Sequence, residues 1–418
     1  MRLTKLFKII FFLFLITIII FSPAKSIIKD LKNGHGLGSF LYVKNNFLNN
    51  FFIKNGLTIS NNGKIFKIEI FDTFEIDNST KKPFGYLEST DKGLYFITGN
   101  GELYFYPKKG INYGNKKILK TNLNKYFEQI DIYKSSFLNN PIRDIMINES
   151  NIFLSINNNL VDKDGMVNTY PLVLKGKIGE NTPEIFFKII YEFNQLTYLE
   201  SDQHVGGKIK YFKNNNFLFA VPDYGDLDNI YNSNTVNGKI LILKDIDFKS
   251  NLFNIFSIGH RNPQGLYYDD ENDLIISTEH GPLGGDEINL IKFQKSYGWP
   301  YSSYGTDLHE PKKSHKKYGY EEPIHFFEYN PGISEIVKLD EEFIDSYPLC
   351  FAVASLTGYS FKFGHHLYFL CGKSKDSLEI VDKIYIGDRI RDVTYSHDFK
   401  KIFLVLENKS QIITLSKF

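Results

Sequence analysis

One unit recurs along this chain, and it restricts the fold more than any other feature. Each copy is a strand of the form Leu/Ile-x-Phe/Ile, a polar turn and a second strand. It appears as GLYFITGNGELYFY from Gly93, and as NIFLSINNN from Asn151 with YPLVLKGKI beyond. It returns as FLFAVPDYG from Phe217 with NGKILILK beyond, and as DLIISTEHG from Asp273 with DEINLIK beyond. LCFAVASLTGYSFKF from Leu349 and IFLVLENKSQIITLSKF from Ile402 complete the series. Apolar-polar alternation bounded by Asn, Gly and Asp is the mark of strands, and helical periodicity is scarce. A sheet this small has two faces to bury and can bury them only on neighbours. Starts at 93, 151, 217, 273, 349 and 402 therefore predict an all-β, six-bladed β-propeller. Asn33 to Ile70 precedes the first unit, and in a closed ring such a leading strand pairs into the last blade. No stretch rich in Pro, Gly or Ser splits residues 33–418, which read as one domain.

Ahead of that domain, residues 1–26 read as a signal peptide. Arg2, Lys5 and Lys8 precede an apolar run from Ile9 to Phe21, and Ala24-Lys25-Ser26 has the small-x-small form of a cleavage site. The run falls short of the roughly 20 apolar residues of a membrane span. Export to a periplasmic or extracellular space is expected, with a membrane anchor at residues 9–21 only if the segment is retained. Cleavage removes four of the 49 Lys+Arg, leaving 45 against 48 Asp+Glu. That balance offers no basic patch for nucleic acid. Cys350 and Cys371 are the two cysteines. Export permits a disulfide, and two separate buried thiols are the alternative.

In a propeller, loops from every blade meet at one mouth of the central channel, so polar residues at strand ends are the candidates for chemistry. Ile258 to Gly305 is the densest such stretch. It holds His260, Arg261, Asn262 and Gln264 before one strand and His280-Gly281-Pro282 after it. Asp286, Glu287, Tyr297 and Trp299, the single tryptophan, follow. His204 precedes Gly206-Gly207, and Asp223 lies 19 residues on. A histidine with a carboxylate partner can act as a general base; the alternative is a surface histidine at a glycine turn. Arg261 can stabilise developing negative charge, or it can tie a loop to backbone carbonyls. The oxygen-rich turn at 280–287 suits Ca²⁺, which takes six to eight oxygens, though its spacing is not that of an EF-hand; a solvated acidic turn is the alternative. Arg389 and Arg391 alternate on a strand and share one face, which suits a polycarboxylate or phosphate. Ion pairing with Asp388 and Asp392 is the alternative. His309 and His315, in the loop Gly305 to Tyr320, show no recognisable ligand set.

Taken in order, GHRNPQG, HGPLGGDEIN, YGWP and RIRDV resemble the soluble quinoprotein glucose/sorbosone dehydrogenases. The resemblance runs from Ser201 to Gly305, returns from Glu321 to the C-terminus and fades before Leu138. It implies an enzyme dependent on pyrroloquinoline quinone (PQQ) and Ca²⁺ that oxidises an aldose or related polyol and passes electrons to an external acceptor. On that resemblance His204 is the general base, Asp223 its orienting carboxylate, and Arg261 the arginine beside the reacting quinone carbonyl. Asn262 and Gln264 become cofactor contacts, and Arg389 and Arg391 grip the cofactor carboxylates. The carbonyls of Gly281 and Pro282 become ligands of the calcium at PQQ, and Asp286, Glu287 and Tyr297 fall at a second calcium. Two departures stand out. Lys208 replaces an arginine in HVGGK, and Thr357 stands where the resemblance expects a cofactor lysine. These departures keep open a second reading, a propeller that binds a carbohydrate or protein partner without turnover.

Overall fold

The structure is a computed structural model. It describes residues 57–418 apart from 61, 75–84, 111, 128–139, 162–166, 180–183, 194–196, 199–203, 307–313, 342, 345–346 and 357–363. The described residues belong to one unit, Leu57–Phe418. The signal segment, the anchor at 9–21, His309 and Thr357 lie outside the described residues.

Six sheets, blades 1 to 6, form a closed ring. Their innermost strands are Gly85–Ser89, Ile142–Asn148, Lys208–Phe212, Pro263–Asp269, Ile333–Leu339 and Ile390–Ser396. Each packs on the next, and Ile390–Ser396 packs back on Gly85–Ser89. The six repeat units begin at the second strands of these blades: Gly93–Thr98, Asn151–Val161, Asn216–Val221, Leu274–Glu279, Leu349–Ser355 and Lys401–Leu406. Ile65–Thr73 pairs antiparallel with the last strand, Gln411–Lys417, so both ends of the ring share blade 6.

The second strands are buried on both faces; every residue of Gly93–Thr98 and Leu274–Glu279 is inaccessible. Their side chains pack between blades. Leu274 and Ile276 of blade 4 meet Ile333 and Phe351 of blade 5, and Phe403 and Val405 of blade 6 meet Leu94 and Phe96 of blade 1. Cys350 and Cys371 face each other across two strands of blade 5 and form a disulfide, which decides between the two readings of the sequence.

One irregularity positions the site. In blades 2, 4 and 6 the innermost strand carries one extra residue against its partner. Pairing jumps from Ile142↔Ile156 to Asp144↔Ser155, from Pro263↔Glu279 to Gly265↔Thr278, and from Ile390↔Leu406 to Asp392↔Val405. The extra residues are Arg143, Gln264 and Arg391. Blade 5 has a similar shift between Ile333 and Ile336. Such a bulge frees a side chain from the sheet's alternation and re-aims it. The innermost strands of blades 1 and 3 pair without a shift.

The innermost strands also present edge N–H groups that need partners. Carboxylates from other blades supply them. Asp392 accepts from Leu87 N at 2.6 Å, Asp144 from Ile209 N at 2.9 Å, and Glu335 from Leu266 N at 3.1 Å. Three buried carboxylates thus converge on the axis. Lys208 meets all three, with Nζ 3.0 Å from Asp144, 2.5 Å from Glu335 and 3.5 Å from Asp392. Burial works against the ammonium, but the three carboxylates outweigh it and hold Lys208 well above the usual lysine range. The lysine that departs from the expected arginine is therefore the ionic floor of the channel.

Candidate active site

Above that floor, loops of blades 3 and 4 bring His204, Asp223 and Arg261 into one contact chain. His204 Nδ1 lies 2.6 Å from Asp223 Oδ1, and its Nε2 lies 2.6 Å from Arg261 Nη2. A guanidinium only donates, so Nε2 carries the lone pair and Nδ1 the proton. That is the tautomer a general base needs. Asp223 is fully buried. Its Oδ1 also accepts from Gly225 N at 3.0 Å, and its Oδ2 from Trp299 Nε1 at 2.7 Å. Trp299 further lays its ring 5.2 Å from the Arg261 guanidinium. The sequence marked Trp299 as the single tryptophan and as part of YGWP, without a role; its indole N–H, a donor a buried carboxylate can use, was the available signal.

Arg261 Nη1 donates to the carbonyls of His280 at 3.0 Å and Gly281 at 2.9 Å. The loop-tying reading of this arginine holds, and the same guanidinium also faces His204. His260 is structural. It is fully buried between Ser257 Oγ and Glu279 Oε1, each at 2.7 Å, and it stacks on Tyr297. Burial pushes Glu279 up, but the charge and hydrogen bond of His260 prevail and hold it below the ordinary glutamate range. Burial and the nearby Arg261 guanidinium push the His280 imidazole down to about 3, so it stays neutral.

A second chain of contacts joins the bulge residues. Asn262 Oδ1 accepts from Gly206 N at 3.2 Å and from Gln264 Nε2 at 3.0 Å, and Gln264 Oε1 accepts from Arg391 Nη1 at 3.4 Å. A Cβ on Gly206 would meet the Pro263 carbonyl at 2.2 Å; only glycine lets the His204 loop lie this close to blade 4. Arg391 and Arg389 share one carboxylate, Glu407, through their Nε atoms. The ion-pairing alternative named other partners. Asp392 instead holds the floor, and Asp388 caps the turn at Asn408 and Lys409.

The groups that the resemblance places at the metals have protein partners in this structure. Asp286 accepts Gly281 N at 3.0 Å and Ile333 N at 3.1 Å, so it pins the turn to blade 5. Burial pushes its carboxyl up to about 7. Glu287 Oε1 lies 3.0 Å from Nε2 of the buried His315, and its Oε2 accepts from Asn289 at 3.2 Å. His315, for which the sequence showed no recognisable ligand set, is thus the partner of Glu287. The Tyr297 side chain is spent on the backbone, donating to the Leu290 carbonyl at 2.6 Å. Gly281 O takes Arg261, and Pro282 O takes Asn330 Nδ2 at 3.4 Å. Among the described residues, the acidic cluster with metal-ligand spacing is Asp144, Glu335 and Asp392, and Lys208 fills it.

The family pattern described as Glucose / Sorbosone dehydrogenase matches residues 149–415, from blade 2 to the last strand. The chain belongs to the glucose/sorbosone dehydrogenase family. Its aldose sugar dehydrogenase relative YliI from Escherichia coli is 28% identical over 156 residues, which is 34% of this chain and 42% of that protein. Quinoprotein glucose dehydrogenase B of Acinetobacter calcoaceticus is 45% identical over 53 residues, 13% of this chain and 11% of that protein. The chain thus spans less than half the length of these two curated relatives. Solved structures in this glucose/sorbosone dehydrogenase group share the fold. The soluble aldose sugar dehydrogenase of Escherichia coli superposes with a TM-score of 0.62 at 19% identity, covering 84% of this chain and all of that one. The PQQ-bound aldose sugar dehydrogenase of Streptomyces coelicolor gives 0.57 at 16% identity, covering 84% and 98%.

Proposed function

We propose that this family member is an exported, PQQ-dependent dehydrogenase that oxidises an aldose or related polyol. The observation that carries the reading is the Asp223–His204–Arg261 chain, with its lone pair on His204 Nε2. The donor set fits the cofactor. Arg389 and Arg391 bring two guanidiniums to one carboxylate, which leaves charge for a polycarboxylate ligand, and Gln264 and Asn262 stand beside them. These four residues would hold PQQ. When bound, PQQ supplies an electrophilic quinone that takes up two electrons as hydride.

The chain's own residues do the rest. His204 Nε2 takes the proton of the anomeric hydroxyl. Asp223 stabilises the imidazolium that results, and Gly225 and Trp299 fix the carboxylate in place. Arg261 moves from base to substrate as the hydroxyl arrives and offers its guanidinium to developing negative charge. It also provides positive charge at the Gly281 carbonyl, where calcium was expected. The disulfide in blade 5 agrees with export. Electrons would leave to an external acceptor.

The test is reconstitution of the protein with PQQ, with and without Ca²⁺, followed by assays of aldoses with an artificial acceptor. Turnover on an aldose is expected. Failure to bind PQQ at micromolar concentration would remove the proposal.

A further inference from the structure

We propose that Arg143, from the strand Ile142–Asn148 of blade 2, is a third anion-binding guanidinium at the channel mouth, and that it contacts a carboxylate of the bound cofactor. The inference rests on the PQQ reading above and adds a residue outside the matched family region, which begins at 149.

The first observation is an internal repeat. Blade 2 reads Ile142-Arg143-Asp144 and blade 6 reads Ile390-Arg391-Asp392. Both arginines are the extra residue of a bulge at the start of the innermost strand, and Gln264 holds the same place in blade 4. The aspartates that follow reach the same Lys208 ammonium. Two strands anchored at one floor by consecutive residues carry their bulged arginines at the same level above it. Arg391 shows what such a residue does: it reaches Gln264 across the mouth.

The second observation is the surroundings of Arg143. It is 3% exposed and hydrogen bonds Tyr86, whose ring also covers the Lys208 ammonium at 5.0 Å. Tyr86 therefore touches both Arg143 and the Lys208 ammonium. Burial lowers the Arg143 pKa, and the Arg391 charge is among the causes, so the two guanidiniums sense each other. Glu407 already pairs with Arg391, and a further anion at the mouth would offset the repulsion between the two guanidiniums. Room was made for Arg143: a Cβ on Gly207 would come within 3.0 Å of Arg143 Cβ.

The third observation is what the chain lacks. Thr357 replaces the lysine expected at the cofactor. PQQ carries three carboxylates, and Arg143 restores the missing positive charge from a different blade.

The experiment compares the parent protein with Arg143→Met, Arg143→Gln and Arg143→Lys. PQQ binding is read from quenching of the single Trp299. Calorimetry with benzene-1,3,5-tricarboxylate gives a redox-inert anion control. Melting temperature without ligand reports on folding. The expected result is a loss of affinity for both ligands of about ten-fold or more in the Met and Gln variants. Arg143→Lys, which keeps the charge without the planar fork, should fall between them and the parent. Should neither neutral variant fold, Arg143→Lys decides alone, by a loss of about three-fold or more. Affinities within two-fold of the parent in every folded variant overturn the inference and leave the function standing. A parent that binds the tricarboxylate through Arg143 but not PQQ removes the function and keeps the anion site. A parent that binds neither removes both.

Discussion

The mouth and the floor of the channel are made from adjacent residues and handle charge in opposite ways. Arg143 and Arg391 belong to the mouth; Asp144 and Asp392, one position later on the same strands, belong to the floor. The floor is closed on itself. Each of its carboxylates caps a neighbouring strand's N–H, and Lys208 meets all three. The mouth is organised around contacts that a substrate can take over. Arg261 contacts His204, and Arg389 and Arg391 divide one carboxylate. A buried ionic cluster that satisfies its own members fixes geometry; one that shares an anion between two cations can accept another. The bulge makes the separation possible, because it lets consecutive residues leave the strand at different levels.

If that division is right, changes at the mouth cost activity and changes at the floor cost stability. His204→Ala removes the base and should lower turnover of the PQQ-loaded protein by about 10²–10⁴-fold. Its urea midpoint should stay near that of the parent, since the ring is a partly exposed contact above a complete floor. Equal losses of midpoint and turnover would place His204 in the scaffold instead.

Lys208→Met is the opposite probe. It leaves Asp144, Glu335 and Asp392 buried around an apolar side chain, and removing one partner of such a cluster costs about 3–5 kcal/mol. The measurement is urea denaturation of the unloaded protein. Lys208→Arg, which keeps the charge, should retain most of that stability. A Met variant as stable as the parent would mean that the floor does not hold the ring.

Trp299→Phe falls between the two. It removes the donor to Asp223 Oδ2 and weakens the ring contact with Arg261 while keeping an aromatic in place. A loss of about 1–2 kcal/mol in transition-state stabilisation is expected, read as kcat, because a buried carboxylate loses one of its hydrogen bonds. An unchanged kcat with a lowered melting temperature would assign Trp299 to packing alone.

The ring was legible in the sequence because its period is. Six two-strand units with buried alternation leave little choice, and each proved to begin at the second strand of a blade. The pairing of His204 with Asp223 was also legible, since both flank strand ends in the matched region. Three things were not. A bulge has no residue signature, so Arg143 looked like an ordinary strand residue although Ile-Arg-Asp recurs in blade 6. Lys208 looked like a weakened motif, because its three partners come from three other blades. His315 looked like a loop histidine, because Glu287 lies 28 residues away. Each depends on pairing or contacts in three dimensions, which a one-dimensional pattern records only when the pattern itself repeats.

Below the floor the comparison can be read with pH. Glu88 on blade 1 faces Lys210 on blade 3 at 3.9 Å. Burial pushes the Glu88 carboxyl up to about 7, against the pull of Lys210 and helped by Asp144 and Asp392. An acid raised on folding binds its proton more tightly in the folded chain than in the unfolded one. Its contribution is therefore fully present below the unfolded value near 4.5 and is lost as pH rises through about 7. Asp392, pushed up to about 7 chiefly by burial, acts in the same direction. Stability should therefore fall between pH 5 and 8 by about 1–2 kcal/mol for Glu88, a figure reduced for the partial exposure of the pair. Glu88→Gln cannot titrate, and its urea midpoint should change less over that range while exceeding the parent's at pH 8. Identical pH profiles for parent and variant would show that Glu88 is ionised throughout, with Lys210 close enough to cancel the burial.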